Sequence, residues 1–267
     1  LSKHLIPIYD KPMIYYSLST LMLAGIRDIL IICTSSSENS YRELLGDGSN
    51  LGLSLQYKIQ NTPRGLAEAF IIGEEFIGNS KVALILGDNL FYGQDFQKKL
   101  IKANRSNSAS IFSYNVNDPS RFGIVELNKR NNPLRIIEKP KFTKSNKAIV
   151  GLYFFNKDVV NIAKKVKPSF RGELEITDIN NFYLKKKKIN LIELGRGYSW
   201  FDTGTYNSLI EASHFVKTIQ ERQGLMIGCP EEIAYNNKWI NKSVLKKNFT
   251  KIKNAYAKYL IRLIQNN

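Results

Sequence analysis

With 267 residues, 43% of them hydrophobic and 23% charged, the chain can bury one sizeable core, and its composition argues against disorder. The formal charge of +16 invites a nucleic-acid reading, but about half of it lies beyond Glu232, on Lys238, Lys242, Lys246, Lys247, Lys251, Lys253, Lys258 and Arg262. No helix-turn-helix, finger or basic-aromatic motif accompanies those residues, so a solvated basic face is the plainer meaning and neither nucleic acid nor a membrane surface is expected as a partner.

The first half alternates compact apolar runs with helical patterns. Met13 to Ala24 reads as a helix, Asp28 to Thr34 as a buried strand, and Tyr41 to Leu45 as a short helix before the turn Gly46-Asp47-Gly48. Leu53 to Ile59 is a second strand, Leu66 to Phe76 a helix, and Val82 to Leu86 a third buried strand. Apolar runs separated by helices favour a mostly parallel sheet covered on both faces, an α/β fold. Further on, 111–116, 123–127, 134–139, 148–155 and 189–194 read as strands, and 158–165 and 175–186 as helices. Thr203-Gly204-Thr205 offers a helix start, followed by the stripe Leu209, Ile210, Ala212, Phe215, Val216 and Ile219. Leu245, Phe249, Ile252, Tyr256, Tyr259 and Leu263 recur at helical spacing, which predicts one amphipathic tail helix within a helical segment of about 231–267. No repeat or linker divides the chain, so 1–267 is expected to be a single domain.

Cys33 and Cys229 lie far apart and outside any C-x-x-C pattern, and His4 and His214 are too few for a His-rich zinc site. Any metal is therefore expected on carboxylates, as magnesium or manganese. In Val82-Ala83-Leu84-Ile85-Leu86-Gly87-Asp88-Asn89, Asp88 follows a strand, where α/β sheets gather ligands; an Asp-Asn turn or a helix cap explains it too. Asp202 closes Tyr198-Ser199-Trp200-Phe201-Asp202 and stands just before a helix start, where capping is again an alternative. Two aspartates from distant strand ends could share one cation with phosphate oxygens. Glu138-Lys139-Pro140 ends a strand, with Pro140 biasing Lys139 toward extended backbone. Arg171 to Asp178 is denser in charge than a helix start requires. Gln60 to Ala67 forms a strand-to-helix loop in which Gly65 permits close backbone approach and Gln60 offers both a donor and an acceptor. No Walker A motif and no G-x-G-x-x-G occurs.

The stretch Lys3-His4-Leu5-Ile6-Pro7-Ile8-Tyr9-Asp10-Lys11-Pro12-Met13-Ile14-Tyr15-Tyr16 resembles the K-Q-L-L-P-I-Y-D-K-P-M-I-Y-Y block of glucose-1-phosphate thymidylyltransferases. Leu18 to Ile32, Leu86 to Asn89, Gly151 to Phe154, Arg171 to Asn180 and Trp200 to Thr205 continue the likeness in the same order, over essentially the whole chain. The resemblance implies a Rossmann-like, mostly parallel or mixed sheet flanked by helices, the nucleotide-diphospho-sugar transferase fold. It implies transfer of a nucleotidyl group from dTTP to glucose 1-phosphate, giving dTDP-glucose and pyrophosphate for dTDP-rhamnose and polysaccharide synthesis. Lys3 would meet the triphosphate with His4 beside it, Gln60 and Gly65 would read the base, and Asp88 and Asp202 would hold Mg2+. Gly123, Glu138 and Glu173 would place the sugar with Asn89 nearby, and Lys139 would hold its phosphate. A cytoplasmic homotetramer is implied as well, with a second, regulatory nucleotide site as an option; the opening residues carry no signal-peptide pattern.

Some positions depart from the family pattern. His4 and Glu68 stand where glutamines are common, Arg64 where an aspartate is, Phe122 for tyrosine and Val150 for threonine. The family's opening strand and its G-G-x-G-T-R-L loop have no counterpart here. Their lack is expected to leave two strands with unpaired backbone groups, and a fragment of a longer protein, or an inactive chain, is the corresponding expectation. A UTP-using enzyme and a catalytically dead nucleotide-sugar-binding subunit are the alternatives.

Overall fold

The computed structural model describes residues 2–265, so Leu1 and the last two residues of the expected 1–267 domain and 231–267 segment lie outside the described residues. The described chain separates into two compact units: one takes residues through Ile59, Gly87–Phe91 and the chain from Phe201; the other takes Gln60–Leu86 and Tyr92–Trp200.

In chain order the elements begin with the short strands β1 (Pro7–Ile8) and β2 (Lys11–Pro12), helix α1 (Ile14–Leu23), β3 (Asp28–Cys33), α2 (Ser35–Leu45) and β4 (Ser54–Ile59). There follow α3 (Glu68–Ile72), α4 (Glu74–Ile77), β5 (Val82–Ile85), β6 (Asn89–Gly93), α5 (Phe96–Arg105), β7 (Ala109–Asn115), β8 (Gly123–Leu127), β9 (Pro133–Glu138) and β10 (Lys147–Phe155). The chain closes with α6 (Val159–Ala163), α7 (Ile176–Lys185), β11 (Ile189–Leu194), β12 (Tyr198–Asp202), α8 (Tyr206–Gln223), α9 (Pro230–Asn236), α10 (Lys242–Phe249) and α11 (Ala255–Gln265).

In the first unit β3 and β4 pair in parallel over their whole lengths, Asp28 opposite Ser54 through Cys33 opposite Ile59. Helix α1 buries Tyr16 to Met22 almost continuously, which suits its apolar sequence better than a one-sided stripe would. The expected single tail helix is two helices. Asn254 interrupts it, because its Oδ1 accepts from the Ala257 amide at 2.8 Å and so caps α11. Leu245, Leu260 and Ile264 are fully buried, but Ile252, in the break, is 44% exposed. Cys33 and Cys229 are both buried and free.

The second unit holds a six-stranded mixed sheet in the order β11-β7-β10-β8-β9, with β5 also paired to β10. The mixed α/β sheet is therefore present, but it leans antiparallel: β10 runs antiparallel to β5, β7 and β8, and β8 to β9, while β11 and β7 are parallel. Apolar runs signal burial, and burial on both faces does not dictate strand direction. Its core joins Phe70, Ile111, Val125, Tyr153, Phe155, Ile179 and Tyr183. Phe155 stacks on Tyr183 at 5.4 Å between centroids and meets Phe70 edge-on at 5.4 Å. Leu66 to Phe76 is not one helix, because the chain breaks at Gly73 between α3 and α4. Strand β5, which reads as buried, is only half-buried throughout. It pairs with β10, as β3 does with β4.

Candidate active site

In the first unit Lys3, Asp88 and Asn89 form one cluster. The Lys3 ammonium pairs with Asp88 Oδ2, and Asp88 Oδ1 accepts from Asn89 Nδ2 at 2.9 Å. Burial opposes ionisation of Asp88, but the Lys3 hydrogen bond and charge outweigh it, and the carboxyl lies below its ordinary 3.8. Thr203, 4% exposed, donates to the Asp88 carbonyl from its amide at 3.0 Å and its hydroxyl at 2.8 Å. The residue next to Asp202 is thereby fastened to the Asp88 backbone, from a chain position far away. Capping does not account for Asp202, since Thr205 caps α8 in a reciprocal box with Ser208. Nor does Gly204 crowd it: a Cβ there would stand 3.2 Å from Asp202 Oδ1.

His4 lies against the same turn. A Cβ on Gly87 would come within 3.1 Å of three imidazole atoms, and His4 Nδ1 is 3.0 Å from the Tyr41 hydroxyl, itself 2.8 Å from Ser2 Oγ. Burial lowers the His4 pKa, with Asp88 acting against that and Lys3 with it, so the ring is held neutral.

The second unit carries the remaining predicted residues in two groups. In the loop between β4 and α3, Gln60 Nε2 donates to Glu68 Oε2 at 2.6 Å, and Arg64 Nε lies 3.7 Å from Glu68 Oε1. Gly65 has φ +100°, and a Cβ there would lie 2.4 Å from the Leu174 carbonyl oxygen and 2.5 Å from its amide nitrogen. The Leu174 amide donates to the Arg64 carbonyl at 2.6 Å, and the Ala67 amide to the Leu174 carbonyl at 3.1 Å. The close approach that demands glycine is therefore to Leu174.

The other group surrounds Arg171. Its Nη2 donates to Glu173 Oε1 at 2.5 Å, and its buried Nη1 stands 3.7 Å from both Glu138 Oε1 and Glu175 Oε1 without a hydrogen-bond partner. Thr177 Oγ1 donates to Glu138 Oε2 at 2.5 Å. Gly123, directly opposite Glu138 across β8 and β9, leaves room for both, since a Cβ would stand 3.2 Å from Thr177 Oγ1 and 3.4 Å from Glu138 Oε2. Ser169 Oγ donates to Glu175 at 2.8 Å, yet burial keeps Glu175 above the ordinary carboxylate range. The expectation of extended backbone at Lys139 is wrong: its φ is +40°, with its amide bound to the Phe122 carbonyl at 3.1 Å, a strained turn of the kind found where a side chain is aimed. Phe122 packs against Trp200 at 5.1 Å between ring centroids, and Tyr114 does so at 6.0 Å. Val150 is fully buried within β10. Arg171 and Thr177 received no role from the sequence; the only signal for them was the charge density of Arg171 to Asp178.

No His, Cys, Asp or Glu group of three or more suited to a metal occurs among the described residues. Magnesium is commonly bound by one or two carboxylates, with phosphates and water completing its shell, and Asp88 and Asp202 are of that chemical type.

The nucleotidyl transferase family model matches residues 1–219. Glucose-1-phosphate thymidylyltransferase from Neisseria meningitidis is 52% identical over 99% of this chain and 92% of its own, and that from Mycobacterium tuberculosis is 45% identical over 100% and 93%. The chain belongs to the glucose-1-phosphate thymidylyltransferase family. Among solved structures, a Bacillus anthracis protein described as a member of that family superposes with a TM-score of 0.73 at 38% identity, over 80% of this chain and 85% of the other. A UDP-glucose pyrophosphorylase solved with UDP-glucose gives 0.71 at 25% identity, over 81% and 90%. The nucleotidyltransferase fold expected from the Lys3-to-Tyr16 block is thus present.

Proposed function

We propose that this chain joins dTTP to glucose 1-phosphate and releases pyrophosphate. The observation that carries the reading is the ion pair of Lys3 with Asp88, whose carbonyl anchors Thr203 beside Asp202. A phosphate oxygen of the sugar attacks the α-phosphorus of dTTP in line. The new P–O bond forms as the bond to the bridging α–β oxygen breaks, and that oxygen departs with pyrophosphate. A phosphate monoester is already largely dianionic at neutral pH, so no general base is required, and catalysis reduces to alignment and charge neutralisation.

Lys3 neutralises the departing pyrophosphate, and His4 packs beside it as a neutral ring. Gln60 and Gly65 meet the base. Glu138, Glu173, Gly123 and Asn89 place the sugar, and Lys139 holds its phosphate. Asp88 and Asp202 would hold Mg2+, which supplies charge neutralisation on the phosphates when bound. By likeness to the family we further propose a cytoplasmic homotetramer serving dTDP-rhamnose and polysaccharide synthesis. Pyrophosphate release measured across nucleotides tests the reading: dTTP is expected to be the best substrate with glucose 1-phosphate, and a stronger preference for UTP would overturn it.

A further inference from the structure

The Gln60 amide has two faces, and heavy-atom positions alone do not say which end is oxygen. Here the neighbour decides it. A carboxylate can only accept, so the Gln60 atom 2.6 Å from Glu68 Oε2 must be the NH2 end. The arrangement cannot easily rearrange. Arg64 sits beside the other Glu68 oxygen at 3.7 Å, and the loop backbone is pinned to Leu174 through the Arg64 carbonyl, the Ala67 amide and the Gly65 contact. With one Nε2 hydrogen committed to Glu68, Oε1 is the acceptor that Gln60 keeps for a base.

We propose that Glu68 sets the polarity of the Gln60 amide, so that Oε1 serves as an acceptor selecting a base with an imide N–H (thymine or uracil) over cytosine. The inference rests on the reading above that Gln60 faces the base. Thymine and uracil carry a proton on N3, which Oε1 accepts. Cytosine carries a lone pair there, so two acceptors would confront each other, and a buried polar group left unpaired is costly. Glu68 itself touches no substrate in this scheme; it is a positioning residue.

The test is Glu68→Gln, which keeps the shape but lets either amide turn over, with Glu68→Met as a second variant that removes the acceptor altogether. Binding of dTTP and of dCTP is measured by calorimetry without metal, turnover of both is measured with it, and thermal melting reports the fold. In at least one folded variant the preference for dTTP over dCTP should fall on the order of ten-fold, the scale of a misplaced hydrogen-bonding group in a binding pocket. An unchanged preference in both folded variants overturns the proposal. The control is Gln60→Ala: if it leaves the preference intact, the assignment of Gln60 to the base fails instead. If Gln60→Ala abolishes the preference and the Glu68 variants do not, only the orienting role of Glu68 is lost.

Discussion

Asp88 faces one lysine, whereas Arg171 faces three carboxylates. In the first cluster a cation and an anion neutralise each other, and the carboxylate is held ionised even though it is buried. In the second, one guanidinium is shared by Glu138, Glu173 and Glu175, negative charge is in excess, and burial pushes the proton affinity of Glu175 up. The difference matches what each region is proposed to handle. A site for a triphosphate has to present cations and a metal-holding carboxylate. A site for sugar hydroxyls has to present acceptors, and carboxylates are strong ones when a nearby arginine keeps them in place.

The largest expected effect comes from breaking the first cluster. Asp88→Asn keeps the shape and the contact with Asn89 but removes the charge that pairs with Lys3. Removing one well-placed electrostatic group from such a site costs roughly 10²–10³ in kcat. Steady-state pyrophosphate release should show that loss, while the KM for glucose 1-phosphate, which belongs to the Arg171 region, should stay within a few-fold. A large shift in that KM instead would mean the two regions do not divide the work as their charges suggest.

Next in size is the loop that carries Gln60. Gly65→Ala adds a Cβ where the Leu174 backbone already stands and places it on a left-handed backbone. Overpacking and backbone strain each cost about 1–3 kcal/mol, so denaturant unfolding should report a loss of about 3 kcal/mol. A smaller loss is expected for Gly172→Ala: it too has positive φ, at +75°, but nothing within 4 Å of an added Cβ, so the strain applies without the overpacking.

That contrast also shows what could be read from the amino acids alone. The strand that precedes Gly87-Asp88 and the Trp200 to Thr205 block were legible because motif order and apolar runs mark where chain segments end. The role of Gly65 was only half legible, since positive φ can be guessed from a Pro-x-Gly loop but its neighbour Leu174 lies far along the chain. Arg171 escaped assignment for the same reason: its partners Glu138 and Glu175 are visible in sequence, but their convergence on it depends on how β9 packs against α7. The lean toward antiparallel pairing was missed because apolar runs report burial and carry no record of strand direction. Lys139 went wrong in a more instructive way. The local rule for a residue before proline was overridden by a hydrogen bond to Phe122, a tertiary contact that local preference cannot include.

The smallest effect is a difference in sign between the two clusters. Asp88 has a folded pKa below 3.8, so it contributes stability above that value that disappears as pH falls through the folded pKa. Glu175 has a folded pKa above 4.5, so its contribution is complete below 4.5 and is lost as pH rises through the folded pKa. Comparing unfolding free energies from acid to neutral pH, the advantage of the native chain over Asp88→Asn should grow with pH in the most acidic part of the range. Its advantage over Glu175→Gln should shrink, and it should do so at higher pH. If both differences move in the same direction, then the excess of carboxylates around Arg171 is fully compensated, and the second cluster is poised for charge just as the first is. Opposite slopes would mean instead that burial disfavours the charged form of Glu175 while Lys3 favours that of Asp88.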